Sequence, residues 1–157
     1  MIVLRTATTE SDYNIAMQLF QEYAADLGFD LSFQNFDQEL ATIGQQYGPP
    51  SGTLSIVLGE DDSPLGCAGI KKFEGTICEL KRMYLRPEAR GQGVGKKLLQ
   101  ELIAAAKELG YIKMRLDTLP SMSSAIGLYK SFGFYEIEAY RYNPFAEAVF
   151  FELDLTV

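Results

Sequence analysis

The stretch from residue 76 to residue 110 limits the fold more than any other part of the sequence. It begins with Thr76 to Leu85, a run rich in β-forming residues, and continues into Val94 to Leu109, where apolar residues recur at helical spacing until Gly110. Glycines at positions 91, 93 and 95 lie at the junction. A strand that passes through a glycine-rich turn into a long amphipathic helix predicts an α/β fold, with the helix packed on a sheet.

The rest of the chain extends this pattern on both sides. Apolar periodicity predicts helices over 12–27, 35–46 and 123–132, and β-rich runs predict strands over 2–4, 53–58, 65–71, 111–116, 134–140 and 148–155. No repeat or linker interrupts the order β-α-α-β-β-β-α-β-α-β-β. A chain of 157 residues has the length of one domain. We therefore expect residues 1–157 to form a single domain with one mixed sheet covered by helices.

Composition excludes several classes of function. A net charge of -7 argues against nucleic acid as a partner. The sequence contains no histidine, and its two cysteines lack metal-ligand spacing, so we expect neither a metal site nor Ser-His or Cys-His chemistry. No run approaches the roughly 20 apolar residues of a membrane span, and no export signal is recognisable. We expect a cytoplasmic protein that does not bind membranes, either a monomer or a homodimer.

Charge is unevenly distributed along the chain. Residues 1–70 contain ten acidic residues and one basic residue, Arg5, whereas residues 81–97 contain six basic residues and one acidic residue, Glu88. The basic segment surrounds Arg90-Gly91-Gln92-Gly93-Val94-Gly95. Glycines allow a close approach of the backbone to a ligand, and the first N–H groups of a helix bind anions. The segment predicts an anion site of a size that suits a diphosphate.

Two common phosphate-binding motifs do not fit this segment. A P-loop needs a serine or threonine that holds magnesium, which Gly95-Lys96-Lys97 lacks. A dinucleotide fingerprint needs a third glycine, and Leu98 occupies its place.

Three ordered motifs resemble the GNAT superfamily of acetyl-CoA-dependent N-acetyltransferases. They are Glu79 to Pro87, then Arg90-x-x-Gly93-x-Gly95, then Ala125-x-x-Leu128-Tyr129-x-x-x-Gly133-Phe134. The opening Arg5-x-Ala7-Thr8-x-x-x-Asp12 is similar to the start of that domain. The resemblance implies a splayed, mostly antiparallel mixed sheet of about six to seven strands with about four helices. The acyl-CoA arm would lie between the strand ending at Leu85 and the strand ending near Leu116.

The resemblance also implies residues for acetyl-CoA. The backbone from Gln92 to Lys96 would bind the pyrophosphate, and Met83 and Leu85 would pair with the pantetheine arm. Met122 stands where many members have an asparagine that contacts pantetheine, and Ser124 could substitute or could cap the helix. The implied residues are Met83, Tyr84, Leu85, Arg90, Gly91, Gln92, Gly93, Val94, Gly95, Lys96 and Ser124.

Two residues match catalytic positions of the family. Glu79 matches the base that takes the proton of the amine; its alternative role is a structural ion pair with Lys81 or another cation, in which case solvent or Asp117 would act as the base. Tyr129 matches the acid that protonates the departing thiolate. The oxyanion donor would be a backbone N–H near Met83, and transfer would be direct, because neither cysteine lies in a motif for an acyl-enzyme; both are expected to be buried.

The acceptor site is expected between the first two helices, their connection and the loop between the last two strands. These segments supply Tyr23, Phe29, Phe33, Tyr142 and Asn143 as candidate contacts. Asp117, which follows the strand predicted over 111–116, is a further candidate. The leading hypothesis is an N-acetyltransferase for a small-molecule amine. The alternatives are acetylation of a protein lysine or N-terminus, and a non-catalytic acyl-CoA sensor, which would need neither Glu79 nor Tyr129.

Overall fold

The computed structural model describes residues 1–27 and 36–157 and contains one seven-stranded sheet. Five α-helices accompany it in the described residues. The order of elements is the one expected from the sequence, except that three of the described helices, instead of two, separate the first two strands. The elements are β1 (Val3–Thr6), α1 (Glu10–Leu27), α2 (Phe36–Ala41), α3 (Ile43–Gln46), β2 (Thr53–Leu58), β3 (Pro64–Glu74), β4 (Ile77–Leu85), α4 (Val94–Glu108), β5 (Lys113–Thr118), α5 (Ser123–Ser131), β6 (Tyr135–Ile137) and β7 (Val149–Asp154).

The sheet is mixed, mostly antiparallel and splayed at its centre. Its strand order is β1-β2-β3-β4-β5-β7-β6, and only β4 and β5 are parallel. These two strands pair over three residue pairs, from Ile77 with Lys113 to Glu79 with Arg115. Beyond them, residues 80–85 and 116–118 diverge. We call this gap the β4–β5 opening; it confirms the splayed sheet expected from the motifs.

Apolar side chains fill both faces of the sheet. On one face α4 buries a stripe that includes Leu98, Leu99 and Leu102, as its periodicity predicted. On the other face α1 buries Leu19 and Phe20. Both cysteines are free and buried, as expected. Burial raises the pKa of the Cys78 thiol to about 12 and that of Cys67 further, so neither is a ready nucleophile.

The ends of most elements differ from the sequence prediction by one to three residues, with the clearest changes in three segments. The helix predicted over 35–46 is two helices, because Thr42 has a non-helical φ of -122° and its hydroxyl donates to the Gln38 carbonyl at 2.8 Å. The strand predicted from 111 starts at Lys113, because the Tyr111 N–H still bonds the Ala106 carbonyl and closes α4. The strand predicted over 134–140 stops at Ile137.

Across the described residues, no helix is long and apolar enough to cross a bilayer, and no group of three metal-ligating acidic or cysteine side chains is found.

Candidate active site

A bulge shapes β4 where it lines the β4–β5 opening. The β3–β4 register changes from Cys67 opposite Tyr84 to Gly69 opposite Lys81, so β4 has one extra residue there. Arg82, within the bulge, has a φ of +58°. An extra residue bends a strand and leaves backbone groups without ladder partners. These groups lie next to Met83, the position from which an oxyanion donor was expected.

The glycine loop lies at the end of β4 and is open to a ligand. Gly91 and Gly93 both have φ of +77°, and a Cβ atom at either would meet nothing within 4 Å. Gly93 caps α4 without a side-chain hydrogen bond, so the first N–H groups of α4 face outward. The loop is tied to β4, because Arg90 Nε donates to the Leu85 carbonyl at 2.9 Å. The loop therefore forms a cradle for an anionic group.

Tyr129 reaches the opening from α5. It is buried, and its hydroxyl donates to the Sδ atom of Met83 at 3.8 Å. Burial raises the pKa of the Tyr129 phenol well above its ordinary value, so the phenol stays protonated at neutral pH. A protonated phenol beside the bulge is chemically able to donate a proton to a leaving group in the opening.

Glu79 is fully buried, and both of its oxygens accept hydrogen bonds. Tyr140 donates to Oε2 and Arg141 donates to Oε1, each at 2.8 Å. Glu79 thus forms an ion pair with Arg141, one of the other cations that the sequence left open as partners. Tyr140 and Arg141 were not singled out from the sequence, because they follow the short β6 in an irregular segment that carries no motif.

Aromatic packing fixes the segment that supplies these partners. The Tyr140 ring meets Phe73 at 5.0 Å and Phe150 at 5.4 Å, both edge to face. The Arg115 and Arg141 guanidinium groups lie within 6 Å of the Tyr140 ring. The segment after β6 therefore crosses the face of the sheet on which Glu79 lies, instead of continuing the strand as predicted.

Asp117 lies near the end of β5, on the same face as Glu79. It is half-buried, and Asn143 donates to its Oδ2 atom at 3.2 Å. The Asn143 Oδ1 atom accepts from the Phe145 N–H at 2.9 Å, which ties the segment after β6 to β5. Burial, then the charges of Tyr23 and Asp117, raise the pKa of the Tyr129 phenol.

The remaining acceptor candidates are distributed around this face. Tyr23 in α1 packs edge to face on Tyr84 at 6.0 Å. Tyr142 is largely exposed and, with Arg141 and Asn143, lines a cavity of about 370 Å³ between the segment after β6 and β7. Phe29 and Phe33 lie outside the described residues.

Ser124 is exposed in the first turn of α5, whose N-cap residue, Met122, makes no side-chain cap.

Buried charges surround the acceptor side. Arg82 pairs with Glu39, and both are buried. Lys81 is also buried, and burial, with repulsion from Arg82, lowers its pKa to about 8.

The acidic residues of the first 70 positions do not all face the site. Some of them are paired with arginines: Asp12 with Arg5, Glu22 with Arg86 and Glu39 with Arg82.

Comparison with known proteins identifies relatives of this arrangement. A family model described as the acetyltransferase (GNAT) family matches residues 13–134. An uncharacterized N-acetyltransferase of Schizosaccharomyces pombe is 44% identical over 139 residues, which are 88% of this chain and 85% of that protein. A GNAT-family acetyltransferase of Staphylococcus aureus has a TM-score of 0.82 at 20% identity, over 99% of both chains. The Salmonella typhimurium protein yncA, solved with its cofactor acetyl-CoA, has a TM-score of 0.73 at 20% identity, over 99% of this chain and 94% of its own.

A sheet that splays at its one parallel pair, beside a glycine-capped helix, is the fold shared with these acetyltransferases. The chain belongs to the acetyltransferase (GNAT) family and is an acyltransferase. The resemblance read from the three motifs is thereby confirmed.

Proposed function

We propose that this protein, as a single domain, transfers the acetyl group of acetyl-CoA directly to the amine of a small-molecule acceptor. One observation carries the proposal: the Tyr129 hydroxyl lies beside Met83 in the β4–β5 opening, near the end of β4 from which the chain continues into the glycine loop. The opening is thus bounded by a proton donor and by an anion cradle. A thioester with a distant diphosphate needs both.

The residues of the glycine loop fit the diphosphate of acetyl-CoA. Positive φ angles at Gly91 and Gly93, with open space at both Cβ positions, let backbone N–H groups from Gln92 to Lys96 approach the phosphates. From Met83 to Leu85, β4 has no partner strand on its β5 side, and this edge would bind the pantetheine amides as a strand binds a neighbouring strand. Ser124 would add a hydroxyl at the start of α5.

An acceptor amine must lose a proton before or during attack. A free alkyl amine resembles lysine, whose pKa is about 10.4, so most of it is protonated at neutral pH. Asp117 is a candidate for the proton acceptor, because it is half-buried and Asn143 donates a hydrogen bond to one of its oxygens. Both oxygens of Glu79 are engaged, which favours its ion-pair role with Arg141. Glu79 would therefore hold the segment after β6 in place.

The other two demands of acetyl transfer are met at the bulge and at α5. The tetrahedral oxyanion needs a preorganised donor, for which the backbone N–H next to Arg82 is available. The departing thiolate needs a proton, and Tyr129 holds one across the neutral range, because burial raises its pKa.

The acceptor side favours a small molecule over a protein. The segment after β6 crosses the sheet face and is fixed there by Tyr140 and Asn143. Together with β7 it lines an open cavity of about 370 Å³, within the range of small-molecule sites. An extended peptide would instead need a continuous groove or a free strand edge.

A panel of amines with acetyl-CoA tests the proposal, with released thiol as the readout. The panel should contain free amino acids, polyamines and other small amines, beside lysine-containing and N-terminal peptides. We expect turnover with at least one small amine and loss of that turnover in Tyr129→Phe. Turnover with peptides alone would indicate protein acetylation. Tight acetyl-CoA binding without turnover of any amine would indicate a sensor.

A further inference from the structure

The side chain of Arg82 is held by three residues of one short segment, α2 and α3 with the turn that follows. Its Nε atom donates to Glu39 Oε2 at 3.0 Å and its second terminal nitrogen donates to Glu39 Oε1 at 2.6 Å. The Phe36 ring lies 5.5 Å from the guanidinium carbon. Tyr47 donates its hydroxyl to Glu39 Oε2 at 2.6 Å. We call Phe36, Glu39 and Tyr47 the Arg82 clamp.

Strand β3 is shaped to admit the clamp. A Cβ atom at Gly69 would lie 2.5 Å from the Tyr47 ring, so only glycine lets that ring pack over β3. Tyr47 is fully buried there and also meets Phe20 edge to face at 5.5 Å. Gly69 is the β3 residue at which the register with β4 changes. The clamp therefore sits directly over the bulge.

The backbone of Arg82 is held in a conformation that it would not adopt by itself. Its φ of +58° lies in the left-handed region, which is unfavourable for residues other than glycine and persists only where the surroundings impose it. The clamp fixes the side chain, and the Cys67 thiol donates to the Arg82 carbonyl at 3.4 Å. Both the side chain and the backbone carbonyl of Arg82 are thus restrained.

We propose that the Arg82 clamp is a positioning device for acetyl transfer, and that Glu39 is its key residue. By holding Arg82 at positive φ, it directs the following N–H, that of Met83, into the β4–β5 opening, where it would bind the carbonyl oxygen of the thioester. This inference rests on the proposed function.

A purely structural ion pair explains the placement less well. Buried ion pairs are weak sources of stability, since apolar residues of similar size often replace them without loss. Here the pair is bidentate, receives a third hydrogen bond and acts on the one positive-φ residue of β4. These contacts together favour a role in orienting the backbone at Arg82 over a role in stabilising the core.

The first test compares Glu39→Gln with a control that breaks another carboxylate–arginine pair. We expect Glu39→Gln to lower kcat by about 100-fold, the cost of a misplaced oxyanion donor, with acetyl-CoA affinity within about twofold of wild type. The control is Asp12→Asn, which breaks the Arg5–Asp12 ion pair of 2.7 Å at the start of α1. It should lower the Tm while kcat stays unchanged. Equal losses of kcat in both variants would overturn the proposal.

A rescue variant separates backbone position from charge. Glycine adopts positive φ without a clamp, so adding Arg82→Gly to Glu39→Gln should raise kcat at least about fivefold above the single variant. A double variant no faster than Glu39→Gln would count against the proposal.

A binding readout makes the test independent of turnover. In protein labelled with ¹⁵N-methionine, the Met83 amide resonance should shift more with acetyl-CoA than with CoA, and this difference should be absent in Glu39→Gln. The buried Met114 amide serves as the internal reference. A wild-type protein that turns over no amine but shows this Met83 response would refute the proposed function alone. An unaltered response in Glu39→Gln would refute the clamp alone.

Discussion

The glycine loop allows a quantitative prediction at Gly93. This residue has a φ of +77° and caps α4, with open space where a Cβ atom would lie. Gly93→Ala therefore causes no clash and acts through the backbone alone. For an L-residue the left-handed conformation costs about 1–2 kcal/mol, so the loop of the variant should relax to negative φ when it is empty.

The size of the effect follows from that cost. To bind acetyl-CoA, the variant must restore the positive φ, and a competent state disfavoured by about 1–2 kcal/mol weakens apparent affinity by about 5- to 30-fold. Gly93→Val, with a β-branched side chain, should abolish measurable binding. Gly110→Ala is the matched control, since Gly110 follows the other end of α4 with a φ of +93° and equally open space. It should cost similar stability and leave affinity unchanged.

Titration calorimetry with acetyl-CoA measures the affinities, and circular dichroism melting verifies the fold. A dissociation constant within twofold of wild type in folded Gly93→Val would refute the placement of the diphosphate. Equal weakening in Gly110→Ala would show that the loss reflects general destabilisation of α4.

Four further outcomes are expected. Asp117→Asn should lower kcat about 100-fold near neutral pH and recover partly at high pH, whereas Glu79→Gln should keep the wild-type profile; the reverse result in pH–rate profiles would make Glu79 the base. Tyr129→Phe should lower kcat by a similar factor at every pH with unchanged acetyl-CoA affinity by calorimetry, because its raised pKa keeps the phenol protonated throughout. Lys81 has its pKa lowered from 10.5 to about 8, so the unfolded chain alone holds that proton between these values and stability rises with pH there. Compared with Lys81→Met, wild type should gain up to about 3 kcal/mol in unfolding free energy between pH 7 and pH 10.5 in urea titrations. Activity should be complete in EDTA, and restoration by added magnesium would contradict the metal-free loop.

The sequence was sufficient for the order of elements and for the position of the glycine loop. Both depend on local patterns. Helical periodicity predicted the α4 stripe, and Gly91 and Gly93 have the positive φ angles that glycine permits. The strand over 53–58 matches β2 at both ends, because a β-rich run stands between clear turn residues.

The partners of the buried charges could not be predicted from local sequence patterns. Glu79 meets Arg141 across 62 residues of chain, and Arg82 meets Glu39 across 43. Neither pair has a short-range signal, since complementary charges occur throughout the sequence. Glu39 was counted only as part of an acidic excess. One signal was present in retrospect: a charged pair, Lys81-Arg82, inside a run of strand-forming residues indicates an irregular strand with specific partners.

Because the contact between β4 and β5 is short, bound acetyl-CoA would also affect the folding stability of the protein. Three residue pairs join a four-stranded half of the sheet to a three-stranded half. A pantetheine arm in the gap would form hydrogen bonds with the backbone of both halves and would hold the two halves together. A ligand at 100 times its dissociation constant adds about 2.7 kcal/mol to folding stability. The resistance of this protein to unfolding would then follow the concentration of its own cosubstrate and would fall when acetyl-CoA is scarce.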